Sequence, residues 1–344
     1  MTAMNEAWQS ASPDADVDVS AWERVVSDLM SSTTTTGQTL ALVAVHRGRI
    51  VGEHYGAGHD ETSTFISWSM AKSMVGALCG VAVQDGLVAL DAAAPVSAWA
   101  DDERVGITVR HLLQMTSGLS WVEDYVDGET SHVIDMLFGS GVDDVAGYAS
   151  SRPSSARPGE KWLYSSGTTN IICRILGDAL GDTRGSHARV EQYLRDRLFD
   201  AIGMSSASPK FDKRGTFIGS SYVYATARDF ARFGQLFLNR GVWAGRRIVS
   251  EDWVDFSRHV VAHDGDNGFD YGAHWWMWPG ERDSLVALGY EGQYTWVVPG
   301  RDLVLVRLGK TDAAQRDDLT AELVKLVRAF PESTVQMDKS GGRG

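Results

Sequence analysis

The sequence predicts an α/β (α+β) fold: an antiparallel sheet flanked by helices, an all-helical lobe, and a cleft between the two. Three observations predict it. Strand-like runs cluster towards the two ends of the 344 residues, at 39–55 and 271–308, and would meet in one sheet. The stretch between them is dominated by helical periods. One apolar helix, opening at about Ser69, joins the first strands to that block and carries a serine and a lysine one turn apart.

Taken in order, residues 1–19 are polar and acidic and read as a loose tail. Val19–Met30 has a short helical period, and Ser31–Gly37 is a loop by composition. Thr39–Tyr55 divides at Arg47-Gly48 into two runs joined by a tight hairpin turn. Its histidines, His46 and His54, read as exposed or hydrogen-bonded. From Ser69 on, Met70, Met74, Val75, Leu78, Val81 and Ala82 recur at three- and four-residue steps, and Gly86 supplies the stop. Leu87–Trp99 is alanine-rich and broken at Pro95. Thr108–Gly118 reads as a short helix with Thr108 as its N-cap and His111 as a packing residue. Ser120–Tyr125 is an aromatic loop. Helical periods return at His132–Phe138, Val142–Ser151, Thr168–Leu180, Val190–Phe199 and Ala227–Asn239, and Ser250–Trp253 resembles a helix start. Four strands follow, at Tyr271–Trp278, Leu285–Gly289, Gln293–Val298 and Leu303–Leu308, with a hairpin turn at Pro299–Asp302 and a closing helix at Asp317–Phe330. The expected organisation is a tail at 1–19, a sheet domain built from 20–90 and 220–332, a mainly helical lobe at 91–219, and a disordered tail at 333–344.

Composition narrows the function. A formal net charge of −13 provides no basic field for nucleic acid or an anionic membrane. The two cysteines, Cys79 and Cys173, lie inside apolar helical patterns and read as core residues, not as a disulfide. No Cys/His cluster has zinc spacing, so neither a metal nor a cofactor is expected. The N-terminal residues lack a basic segment followed by an apolar one, and no stretch has the length of a membrane span, so a cytoplasmic location is the expectation.

The chemistry centres on Ser69-Met-Ala-Lys72. A serine hydroxyl is a weak nucleophile at neutral pH and needs a neighbour to draw off its proton. The first turn of a helix adds free N–H groups and a positive dipole end. The spacing alone is equally that of a capping serine with an exposed lysine; the rest of the chain supplies context. A serine working with a lysine also needs a further proton-handling group. Two Tyr-x-Ser triplets are candidates. Tyr148-Ala-Ser150 lies within a helical pattern and reads as structural. Tyr164-Ser-Ser166 follows a Pro-Gly turn and precedes a helix, where a side chain can be held at the lip of a cleft, so Tyr164 is preferred.

These segments, with Thr108-Val-Arg-His-Leu-Leu-Gln-Met-Thr-Ser-Gly-Leu119 between them, occur in the order seen in class C β-lactamase-like serine hydrolases, which the chain resembles over about residues 38–330. That family includes penicillin-binding peptidases, esterases and amidases. The Trp121–Tyr125 loop, Tyr164-Ser-Ser-Gly167 and Gly289-Tyr-Glu-Gly-Gln293 look most like the hydrolases of linear 6-aminohexanoate dimers. The resemblance matches the family's third motif to Tyr290-Glu-Gly292, with Tyr290 facing the cleft, Glu291 turned away and Gly292 letting substrate approach. Gly309-Lys-Thr-Asp312 is a decoy, and Lys310 reads as a surface lysine. Tyr290 replaces the family's lysine and Ser166 its frequent asparagine, which argues against efficient β-lactamase activity.

The resemblance implies a serine esterase or amidase working through an acyl-enzyme on Ser69, with Lys72 and Tyr164 sharing the proton transfers. Which of the two takes the first proton stays open. It also implies an oxyanion hole from the backbone N–H groups of Ser69 and Gln293, with Ser166, Tyr290 and Gly292 as supports and Tyr125 closing over a substrate amide. The expected partner is a small ester or amide, and a homodimer is compatible with the sequence. A β-lactamase or D-aminopeptidase, and a non-catalytic covalent sensor or structural homologue, are the alternatives. The tryptophans Trp275, Trp276 and Trp278 would wall the cleft or lie in the core.

Overall fold

In the computed structural model, residues 8–31, 34–124 and 130–333 are described. Helix α1 (Val19–Ser31) leads into strand β1 (Gln38–His46), which turns back as β2 (Arg49–Tyr55). The turn residues Arg47 and Gly48 both have positive φ, at 51° and 73°. That is the mirror-image turn whose twist suits a hairpin, and it explains the Arg-Gly junction. The central helix α2 (Met70–Gln84) follows, then a mainly helical block containing α3 (Ser166–Ala179), then α4 (Ala227–Leu238). The chain returns to the sheet with β3 (Leu285–Gly289), β4 (Gln293–Val298) and β5 (Leu303–Lys310), and closes with α5 (Arg316–Arg328).

The sheet is antiparallel, in the order β2, β1, β5, β4, β3, continued by the two-residue strands Trp276–Met277, Asp270–Tyr271 and Ala262–His263. Alternate residues of β5 serve opposite faces. Leu303 and Leu305 pack with Trp22, Leu29, Leu319 and Leu323 of α1 and α5. Val304, Val306 and Leu308 pack on the other side, in the core shared with Met70, Met74 and Leu78 of α2 and Phe230 and Phe233 of α4.

Helix α2 is enclosed rather than amphipathic: every residue from Met70 to Ala82 is buried. Such enclosure requires close approach, and two glycines permit it. A Cβ on Gly80 would lie 2.5 Å from the Trp253 indole, and one on Gly76 3.0 Å from His274 Cβ. The same indole donates to the Gly76 carbonyl at 3.0 Å.

Four expectations need correction. The segment from Trp8 to Asp18 is not loose. Ser10 bridges Ile50, Trp8 packs on Trp243, and Asp14 and Asp16 receive the Arg47 and Arg49 guanidinium groups. His46 is neither exposed nor hydrogen-bonded: among the described residues neither buried ring nitrogen has a hydrogen-bond partner, with Phe330 against the ring and the Asp14 carboxylate 3.7 Å from Nδ1. The Thr108-capped helix runs only over Val109–Leu113, where His111 closes a capping box, and Met115 with φ 57° ends it early. The run Tyr271–Trp278 is two short strands, split at His274 with φ 59°. The Gly86 stop, the Pro299–Asp302 turn and the exposure of Lys310 are as expected.

Gly80→Ala should lower stability by about 1–3 kcal/mol, the usual cost of overpacking a filled core. Chemical denaturation checks this, and an unchanged midpoint would mean that α2 is not gripped here.

Candidate active site

The turn before α2 forms one edge of the site. Trp68 has φ 44°, so the chain reverses sharply and presents Ser69 at the helix start. Ser69 is partly exposed, and its hydroxyl makes no capping hydrogen bond. One turn on, Lys72 is only 2% exposed. Its Nζ donates to Ser69 Oγ at 2.8 Å, to Ser166 Oγ at 2.9 Å and to the Ser220 carbonyl at 3.0 Å. Three donors meet three acceptors, which is the hydrogen-bonding capacity of an ammonium.

Tyr164 enters from the helical side. It ends the extended run before α3, whose N-cap Ser165 accepts from the Thr168 N–H. Its ring is clamped by Trp276 at 5.2 Å and Tyr271 at 5.8 Å between centroids, and Lys72 Nζ stands 4.9 Å from its centre. The Ser69 side chain acts on the phenol, partly countering the effect of its burial. Lys72 is thus in contact with both Ser69 and Tyr164. Trp276 walls the site, Trp275 stacks on Phe233 in the core, and Trp278 packs on Trp296.

Burial acts on the two proton carriers in opposite directions. It disfavours the charged form of each, so it lowers an amine and raises a phenol. Lys72 is pulled down to about 8, with Glu123 partly countering the burial. Tyr164 is held well above an ordinary tyrosine, by burial first and by the Glu123 charge second.

Glu123 was missed by sequence reasoning. Its Oε2 accepts from the Ser166 N–H at 2.8 Å and from the Trp121 indole at 2.6 Å, and its Oε1 accepts from the Ser166 hydroxyl. Oε1 is 4.0 Å from Lys72 Nζ. The available signal was weak: one carboxylate in an aromatic loop, two residues after a tryptophan.

The hairpin β3–β4 differs from the expected motif. Gly289 pairs with Gln293, and Tyr290–Gly292 is the tight turn between them, not strand. A Cβ on Gly289 would lie 2.5 Å from the Ser67 carbonyl, so this is the glycine pressed against the turn that presents Ser69. Gly292, with φ 75°, instead faces Leu319, Arg307 and Thr311. Gln293 is 2% exposed, and its side chain is tied to the Tyr290 and Gly309 carbonyls. Tyr290 is exposed and sits edge-on to Trp68 at 5.6 Å. Glu291 does not turn away: its Oε2 accepts from the Trp68 indole at 3.2 Å. Tyr125 lies outside the described residues. Among the described residues, no group of three or more His, Cys, Asp or Glu side chains could hold a metal ion, and no helix is long and apolar enough to cross a membrane.

His274 ties the site together from behind. Its Nδ1–H donates to the Leu113 carbonyl at 2.8 Å, and its Nε2 pairs with the Thr169 hydroxyl of α3 at 2.9 Å. Its carbonyl accepts from Ser73 of α2 at 2.7 Å. Burial pulls it down to about 3, so it is neutral at working pH. An unfolded chain binds this proton below about 6.5 and the folded one does not until about 3. Stability should therefore fall as pH drops through that window, by up to about 1.4 kcal/mol per unit from this group. Denaturation across pH 3–7 should give a shallower slope for His274→Asn; an equal slope would contradict the assignment.

The family model described as Beta-lactamase matches residues 22–329. A 6-aminohexanoate-dimer hydrolase from Paenarthrobacter ureafaciens is 27% identical over 297 residues, covering 78% of this chain and 72% of the relative. A solved Bacillus anthracis structure that carries the same hydrolase name provisionally has a TM-score of 0.75 at 20% identity, covering 94% of this chain and 87% of that one. A family VIII carboxylesterase structure has a TM-score of 0.66 at 15% identity, covering 90% and 96%. At these identities the two structures establish the fold alone.

Proposed function

The chain belongs to the beta-lactamase family of serine hydrolases, and within it we propose an esterase or amidase that cleaves small substrates through an acyl-enzyme on Ser69. The carrying observation is the Lys72 ammonium, hydrogen-bonded to Ser69 Oγ at 2.8 Å in a buried site that also receives Tyr164. The opposite displacements of the two proton carriers favour Lys72 over Tyr164 as the first base. A lysine near 8 is unprotonated in about a tenth of molecules at pH 7, whereas a phenol raised above its ordinary value almost never is.

Neutral Lys72 takes the Ser69 proton as Oγ bonds to the carbonyl carbon. The developing oxyanion is held by the Ser69 N–H, which donates to no backbone carbonyl among the described residues. A second donor would come from the end of the hairpin where Gly289 pairs with Gln293 and Gly289 approaches the Ser67 carbonyl. The bond to the leaving group breaks as that group takes the Tyr164 proton, and the Lys72 ammonium restores it. Water then gives a proton to Lys72, adds to the acyl carbon and releases Ser69, which recovers that proton.

The named activity of the Paenarthrobacter relative makes linear aminohexanoate amides reasonable substrates alongside short esters. Tyr290 at the hairpin end supplies no cation for a substrate carboxylate, which disfavours β-lactams.

Ser69→Ala should abolish turnover of p-nitrophenyl butyrate, and Tyr164→Phe should reduce cleavage of an alkyl amide, whose amine must leave protonated, by about a hundred- to ten-thousandfold. Near-native turnover in either ends the proposal. Since the base must be unprotonated, kcat/KM should fall about tenfold per unit below a limb near pH 8. A panel of p-nitrophenyl butyrate, the linear 6-aminohexanoate dimer and nitrocefin checks the substrate class. Preferential turnover of nitrocefin would overturn it.

A further inference from the structure

Lys72 is a buried cation whose three hydrogen-bond acceptors are all uncharged: two serine hydroxyls and a carbonyl. Four titratable groups bear on it from the elements packed around it. Tyr164 comes from the run before α3, Cys173 from α3, His274 from between the two short strands, and Glu123 from the aromatic loop. Burial keeps three of them neutral, raising the Tyr164 phenol and the Cys173 thiol and depressing His274. Among the described residues, Glu123 is the carboxylate left to balance the ammonium, 4.0 Å away.

Its geometry is fixed from three directions. The Trp121 indole and the Ser166 N–H hold Oε2, while the Ser166 hydroxyl donates to Oε1. A hydroxyl has one proton, so a Ser166 committed to Glu123 must turn its lone pairs to Lys72. That matches the 2.9 Å donation from Lys72 Nζ. Serine at 166 thus acts as a coupling between carboxylate and ammonium, with its proton direction set by Glu123.

We propose that Glu123 is a positioning residue acting through Ser166: it orients the Ser166 hydroxyl toward Lys72 and supplies the counter-charge that decides when this lysine holds its proton. This rests on the reading of Ser69 and Lys72 as nucleophile and base. It gives the aromatic loop a part in setting the enzyme's working pH range.

The test is the pH dependence of two rates in the full chain, kcat/KM on p-nitrophenyl butyrate and fluorophosphonate labelling of Ser69. Glu123→Gln removes the charge and keeps the shape. Both rates should keep a single acid limb, moved to lower pH by at least about 0.7 unit, the shift expected for a unit charge 4.0 Å away even in full water screening. Glu123→Asp keeps the charge, so its limb should stay nearer to wild type although kcat falls. A limb that does not move in Glu123→Gln, or moves equally in Glu123→Asp, overturns the proposal. If the Gln variant does not fold, the wild-type limb still decides. A value at or below about 6, as for buried lysines without a counter-charge, would mean that no carboxylate supports the ammonium. Loss of Ser69 labelling in the wild type would instead sink the underlying mechanism.

Discussion

The structure depends on keeping one ammonium almost dry. Lys72 is 2% exposed, and a lone charge in such a place would ordinarily shed its proton or unfold the site. Here each of its hydrogens reaches an oxygen from a different segment: Ser69 at the start of α2, Ser166 in the first turn of α3, and the Ser220 carbonyl in the turn shortly before Val223–Thr226. Helix α2, helix α3 and the turn that carries Ser220 are therefore joined through one nitrogen. Relative movement of α2 and α3 would leave a buried donor unpaired, which costs more than a typical hydrogen bond contributes.

The surrounding fold can be understood as the means of holding that meeting point. Helix α2 is enclosed on all sides, so Ser69 and Lys72 cannot shift without disturbing a filled core. Gly76 and Gly80 allow His274 and Trp253 to approach the helix. His274, in an uncommon left-handed conformation, links α2 to α3 through Ser73 and Thr169. The same irregular turn breaks the strand pattern and brings Trp276 onto Tyr164. Backbone strain at His274 is thus located where three site-bearing segments are held together.

Much of this was legible in the sequence, for a physical reason. Helix α2, the Arg47-Gly48 hairpin and the Tyr164 turn are each encoded locally, by period, by left-handed turn residues and by Pro-Gly. What was not legible is set by residues distant in sequence. Glu123 carries no local mark of its role, because its partners Lys72 and Ser166 come from other elements. Gly289 and Gly292 are equivalent by spacing; only the packing of Ser67 against one and Leu319 against the other separates them. The Tyr271–Trp278 run has strand composition throughout, and His274 breaks it for tertiary reasons. The acidic start of the chain looks like a solvated tail until Arg47 and Arg49 of the hairpin are placed beside Asp14 and Asp16.

A second buried cation clarifies why the first is a lysine. Arg307 is fully buried behind the hairpin turn and donates to the carbonyls of Glu291, Gly292 and Gln38 and to the Thr39 hydroxyl. Burial lowers it only to about 10, so it stays charged and acts as a permanent tie between the turn and β1. A guanidinium has a rigid fork of donors and does not give up its proton under working conditions. That suits a structural tie and would disable a base. In the proposed mechanism the Lys72 cation must lose and regain a proton, and Ser69, one of its three acceptors, is a hydroxyl that can reorient when it does. Mostly carbonyl acceptors around Arg307 and mostly hydroxyl acceptors around Lys72 are two solutions to the same desolvation problem, one suited to permanence and one to exchange.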